Sequence, residues 1–290
     1  MRIWAHILAL LTAGSPFVAG QSSELQFPQR VVAGTVFSVP TSGSGEATLY
    51  IVGPSRVLQR KVRLGESIAF SAEDLHLAGP YVAVLTSGSS SRVAQFNVVA
   101  SPAPAKLSFL AKPSRLPVNL SNAVSGVVYV FDRFGNLILE PQQLSFELTD
   151  STGRKQSHAA ASHNGVGWVR MNSGAKAGTA TFAARAADVH ETRVIQQVPG
   201  EPCTIRMAAH PGRGQRVVLE TQPVLDCSGN PVPDGTIVSF SESFAGTQST
   251  VDVPLKRGIA KTELPSHPGA VISVASGVVM GNEIRWNGGL

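Results

Sequence analysis

The chain has 290 residues, too many for one small module and enough for two or three domains of roughly 90 to 150 residues. Hydrophobic residues at 43% suffice to build cores, while charged residues at 15%, with 28 Gly and 19 Pro, argue against long solvated helices. The formal net charge of +5 is scattered without any run of three basic residues, which speaks against a nucleic-acid-binding stripe.

Residues 1–20 have the layout of a secretory signal: Arg2, an apolar segment from Ile3 to Leu11, the breaker Pro16, and small residues ending at Gly20. Cleavage there is expected, because Ile3 to Leu11 is too short to cross roughly 30 Å of hydrocarbon. No later stretch reaches 18 apolar residues, so the sequence predicts an exported chain without a transmembrane segment, residing in the periplasm, on the cell surface or outside the cell.

The next part, residues 21–101, reads as short strands: Thr48 to Val52, Val57 to Leu64, Ser67 to Phe70, Tyr81 to Thr86 and Ser91 to Val99. Glu73, Asp74 and Leu75 suggest a single helical turn before Gly79 and Pro80. Ser101, Pro102, Ala103 and Pro104 then form a stiff junction.

In residues 105–198, the β-branched and aromatic run Val127 to Phe131 stops at Asp132, where Asp, Gly and Asn supply turn geometry. Leu144, Phe146 and Leu148 alternate with Ser145 and Glu147, predicting a half-buried antiparallel strand. Val166 to Met171, Thr179 to Ala184 and Val189 to Gln197 continue the pattern, with Trp168 expected in the core. Pro199, Gly200, Glu201 and Pro202 make a second junction, and residues 200–290 form the last part.

The second and third parts repeat. Asp132, Gly135 and Asn136 recur as Asp226, Gly229 and Asn230 at an offset of about 94, Phe146 recurs as Phe240, Gly165 as Gly258, and Gly178 to Ala184 as Gly269 to Ala275. Four landmarks in one order, each copy a series of short strands with turn signals every 8 to 12 residues, are the pattern of immunoglobulin-like β-sandwiches. The fold class that follows is all-β: three tandem immunoglobulin-like antiparallel β-sandwich domains after an N-terminal signal peptide, the first of them divergent.

The third part runs Val224, Leu225, Asp226, Cys227, Ser228, Gly229, Asn230, Pro231, Val232, then Val238, Ser239, Phe240, and later Gly258, Ile259, Ala260 and Gly269. It resembles the bacterial immunoglobulin-like domain of the invasin and intimin type, over most of Gly200 to Trp286. The second part is a weaker match, with Leu137 and Ile138 in place of Pro-Val, and the first does not match. The resemblance implies rod-like stacking of sandwiches, as in surface adhesins, and carries over no binding residue.

Cys203 and Cys227 are the only cysteines. A hairpin turning at Pro211 to Gly214 brings them together, so a disulfide is expected in an oxidising compartment, the alternative being two separate buried thiols. No Cys-x-x-Cys or paired His spacing supports zinc. Neither Gly-x-Ser-x-Gly nor His-Glu-x-x-His occurs, and His158 and His163 are expected in a loop. Asp132 and Asp226 admit a calcium reading, but capping of the turn by Asp is favoured because few other acids are near. Trp286 is left open as an exposed contact or a strand-end plug. The expectation is therefore a non-enzymatic spacer, adhesion or protein-interaction module with a protein or glycan partner, no nucleic acid and no cofactor or metal. The alternatives are a periplasmic assembly factor or chaperone, for which an exposed edge strand with basic residues would be the mark, and an accessory region of an extracellular hydrolase system.

Overall fold

A computed structural model describes residues 25–288; the expected signal segment, residues 1–20, lies outside them. The chain divides into two compact units, one ending at Val99 and the other beginning at Ala100. Among the described residues every regular element is a β-strand.

The first unit contains β1 (Arg30–Val32), β2 (Phe37–Pro40), β3 (Glu46–Val52), β4 (Val57–Arg63), β5 (Ser67–Phe70), β6 (Gly79–Ser87) and β7 (Ser90–Val99). One sheet runs β1-β7-β6-β3-β4 and a smaller one pairs β2 with β5. Alternation explains the packing: Ala47, Leu49 and Ile51 of β3 and Tyr81, Ala83 and Leu85 of β6 point inward, against Val39, Ile68 and Phe70. Aromatic rings join the layers, Phe27 stacking on Phe96 at 4.9 Å and Phe37 on Phe70 at 4.8 Å. Tyr81, at the start of β6, donates its hydroxyl to the Leu77 carbonyl at 2.9 Å, the corner that recurs at the corresponding strand of immunoglobulin sandwiches. A Cβ on Gly53 would stand 2.2 Å from the Tyr81 ring, so that corner needs a glycine beside it.

Glu73, Asp74 and Leu75 do not start a helix. Asp74 instead closes a tight turn, its Oδ2 accepting from the Ser71 N–H at 2.6 Å and the Ser71 hydroxyl at 2.9 Å, with Arg60 paired to its other oxygen. Local side-chain bonding of this kind competes with helix propagation.

The second unit opens with β8 (Lys106–Lys112), β9 (Arg115–Pro117), β10 (Val124–Phe131), β11 (Gln143–Thr149), β12 (Lys155–Ala161), β13 (Val166–Met171), β14 (Gly178–Ala186) and β15 (Val189–Val198). These form a three-stranded sheet, β13-β10-β8, facing a five-stranded sheet, β12-β11-β14-β15-β9. Leu107, Phe109, Val128 and Val130 from one face meet Leu144, Phe146, Leu148, Phe182 and Ile195 from the other. Phe109 and Phe182 meet edge to face at 5.1 Å above Gly126, where a Cβ would lie 2.7 Å from Phe182.

The chain continues with β16 (Pro202–Thr204), β17 (Met207–Pro211), β18 (Arg216–Thr221), β19 (Leu225–Asp226), β20 (Ile237–Phe244), β21 (Thr247–Pro254), β22 (Lys261–Pro265), β23 (Val271–Ser276) and β24 (Val279–Arg285). The sheet β17-β18-β22 faces β21-β20-β23-β24, and the short pair β16-β19 stands at one end. Val217, Leu219, Val238, Phe240, Ile272 and Val274 form a separate apolar cluster. Not every pairing is antiparallel: β1 runs parallel to β7 and β9 parallel to β15, each covering a sheet edge that would otherwise present unpaired backbone groups.

Trp168 does not enter the core. It is 66% exposed on β13, whereas Gly167 and Val169 point inward. The physical reason is Gly167, where a Cβ would come within 2.0 Å of Leu144; only a glycine fits that inward position, which sets the phase of the strand. Trp286 is buried in the second of these cores, its indole N–H donating to the Ser266 hydroxyl at 2.8 Å. His158 lies in the edge strand β12 and not in a loop, pairing with Phe146.

Candidate interaction surface

The repeated Asp-x-x-Gly-Asn segments fold alike. In each, the Asp N–H donates to the carbonyl of the Asn four residues on, and the Gly N–H donates back to the Asp carbonyl, with Gly135 at φ 81° and Gly229 at φ 74°. Asp132 Oδ1 accepts from the Phe134 and Asn136 N–H groups, both at 2.9 Å, and Oδ2 accepts from the Asn136 side chain and from the Ser101 N–H in the preceding junction, again at 2.9 Å. Asp226 repeats the set: Ser228 and Asn230 N–H on Oδ1 at 2.8 Å, and the Asn230 side chain and the Gly200 N–H on Oδ2 at 2.9 Å.

Burial on its own would raise these two carboxyls, but the hydrogen bonds outweigh it. The Asn136 side chain and the Ser101, Asn136 and Phe134 N–H groups hold Asp132 below its ordinary value, and the Asn230 and Gly200 N–H groups, the Asn230 side chain and the Ser228 N–H do the same for Asp226. Both oxygens of each carboxylate are filled by N–H donors, which leaves them poorly placed to coordinate a calcium ion. Among the described residues, no three His, Cys, Asp or Glu side chains stand close enough to hold a metal ion.

The contacts of the second copy extend beyond its own turn. Asn230 Oδ1 accepts from the Ala177 N–H at 3.0 Å, Asn230 Nδ2 donates to the Ala175 carbonyl at 3.0 Å, and Lys176 Nζ donates to the Ser228 carbonyl at 2.9 Å. The turn that precedes β20 thus grips the loop between β13 and β14, on the neighbouring sandwich. Sequence reading found the motif but not this grip, because Ala175, Lys176 and Ala177 carry no pattern of their own.

Cys203 and Cys227 are joined by a disulfide with a Cα–Cα separation of 4.8 Å, next to the β16-β19 pairing and on the protein surface. His163 is exposed on the turn before β13. A polar depression of about 240 Å³ at the opposite ends of β12 and β13 is lined by Asn119, Asp150, Arg154, Asn172 and Ser173. Its Asp150 is occupied by the Thr152 and Arg154 N–H groups, and the lining holds no His or Cys to activate a hydroxyl.

The outward positions of β8, β10 and β13 line up in rows: Leu110, Val127 and Trp168; Ser108, Tyr129 and Val166; Lys112, Ser125 and Arg170. Leu110 is 53% exposed and Trp168 66%, so this sheet presents apolar and aromatic side chains to solvent. Sequence reading missed the face, because Val166 and Trp168 alternate as regularly as Val169 and Met171 do.

No protein-family profile matches the sequence, and no curated protein matches it. The fold does have solved counterparts. The Escherichia coli adhesin FdeC aligns over 85% of this chain and 88% of its own, at 18% identity and a TM-score of 0.56. Invasin, a bacterial integrin-binding protein, aligns over 87% of this chain and 56% of its own, at 12% identity and a TM-score of 0.46. InvD of Yersinia pseudotuberculosis aligns over 89% of this chain and 94% of its own, at 10% identity and a TM-score of 0.45. The chain is an all-β protein of tandem immunoglobulin-like sandwiches. Within that class its fold is similar to that of the FdeC adhesin.

Proposed function

We propose that the chain is an exported bacterial spacer and adhesion or protein-interaction module, acting by binding and not by catalysis, at the cell surface, in the periplasm or outside the cell. Its domains are residues 21–101, 105–198 and 200–290, following a signal segment in residues 1–20. The observation that supports this reading most is the alignment with an adhesin over 85% of one chain and 88% of the other, which covers a succession of sandwiches and not a single module. Function on such scaffolds sits on loops and sheet faces held rigidly by the core. Among the described residues no helix is long and apolar enough to cross a membrane.

The test is capture from the native envelope fraction with the immobilised chain, followed by identification of what is enriched over a bead control. A saturable protein or glycan partner is the expected result; absence of any enriched partner overturns the reading.

A second reading, a periplasmic assembly factor, draws on β4, an edge strand bearing Arg60, Lys61 and Arg63. Arg60 is committed to Asp74, and an edge Lys guards against strand addition, so adhesion or interaction is the better supported of the two.

A further inference from the structure

We propose that the outward face of β8, β10 and β13 in the second unit is a docking surface for an acidic protein partner, with Trp168 in one of its central rows, on the edge strand β13. The proposal rests on the interaction reading above and names the surface and partner chemistry for it.

The pattern on this face is built and not random. Its central rows hold Leu110, Val127, Trp168, Tyr129 and Val166, while Lys106, Lys112 and Arg170 stand at its ends. No Asp or Glu occupies an outward position of the three strands. Among the described residues, none of the three cations has an ion-pair partner.

The repeat supplies an internal control. In the other sandwich of this unit the corresponding sheet is β17-β18-β22, with the same order of strands. At an offset of about 93, Trp168 corresponds to Lys261 and Arg170 to Glu263. There the face neutralises itself: Lys261 Nζ meets Glu220 at 2.7 Å and Arg216 meets Glu263 at 3.1 Å across the strands. Two copies of one architecture thus carry opposite surfaces. One is closed by its own cross-strand ion pairs; the other exposes an indole and leaves its cations uncompensated.

An apolar centre with Trp and Tyr, rimmed by Arg and Lys, has the composition of a protein interface hot spot with its surrounding polar ring. The unpaired cations call for carboxylates on the partner, which steer the encounter and fix its register. A polysaccharide fits less well, because Leu110, Val127 and Val166 offer no hydrogen bonds to its hydroxyls, and hydroxyls buried unpaired are costly.

The full chain can be titrated with defined polymers while tryptophan emission is followed. The probes are a random copolymer of glutamate and tyrosine, polyglutamate, a copolymer of lysine and tyrosine, and polygalacturonate. The expected result is saturable binding of the glutamate–tyrosine copolymer, weakened by salt, with a blue shift that survives Trp286→Phe. Trp168→Ala and the pair Lys112→Glu with Arg170→Glu each weaken it at least about tenfold, read for every variant by the anisotropy of dye-labelled copolymer, while amide-exchange protection of β10 and β14 like that of the parent shows that their own sandwich is folded. The proposal is overturned if the copolymer does not bind, if Trp168→Ala binds it like the parent chain, or if polygalacturonate binds in its place. The envelope capture separates the two readings. A partner captured equally by the parent and Trp168→Ala removes this surface and leaves the interaction reading standing. Binding of the copolymer through Trp168 without any captured partner does the reverse.

Discussion

Asp226 does several jobs with one carboxylate: it closes its own turn, orients Asn230 and holds the junction through Gly200. Replacing it by Asn keeps the size and removes the charge, leaving donors with a weaker or missing acceptor. Asp226→Asn is expected to destabilise the surrounding sandwich by about 2 kcal/mol at neutral pH, measured by urea unfolding with the emission of the buried Trp286. The sign of the pH dependence is fixed by the lowered value of the folded-state carboxyl. Its contribution is present above the ordinary value of 3.8 and is lost as pH falls through the lower folded-state value, so parent and variant should converge in acid. A gap that does not narrow as the pH falls below 3.8 would contradict this. The residues of both turns were legible in the sequence because Asp, Gly and Asn recur at fixed spacing and each is chosen by turn chemistry. Trp168 was not, since both phases of β13 are apolar and only the closeness of Leu144 to Gly167 decides between them.

At the scale of elements, long alternating strands such as β3, β6, β11 and β14 could be read directly, since one face is buried and the other wet. The short strands β1, β2 and β9 could not, for three or four residues carry too little periodicity and exist because they pair with segments far along the chain. β12 escaped for another reason: as an edge strand with an exposed pattern, its Lys155 to Ala161 segment looks like loop. Close packing of elements also sets local demands. Gly53→Ala would drive a methyl into Tyr81 and displace the ring from the corner with Leu77, at an expected cost of about 1–3 kcal/mol to the first unit alone. Site-resolved amide exchange checks it: protection should fall in β3 and β6 of the first unit and stay unchanged in the strands of the second.

On the scale of the whole molecule, the second unit gains continuity from Asn230, which satisfies both the Ala177 N–H and the Ala175 carbonyl. Asn230→Ala should leave each sandwich folded and raise amide exchange at Ala177 by at least about fivefold, since one net hydrogen bond of about 1 kcal/mol is lost. The disulfide acts separately. Thiol titration of the folded chain without reductant should find no free thiol, and Cys203→Ser with Cys227→Ser should lower the stability of the surrounding sandwich by about 3 kcal/mol in the chain-entropy account.

That bond also governs how the chain answers a mechanical load. Tension arriving along the backbone at Cys203 passes through sulfur to Cys227, so the intervening β17–β18 hairpin bears none of it. With a sequence separation of 24 shunted out, the fully stretched contour is shorter by about 80 Å than that of the reduced chain. A chain pulled from its two ends would thereby keep that hairpin unextended while the strands beyond Cys227 yield.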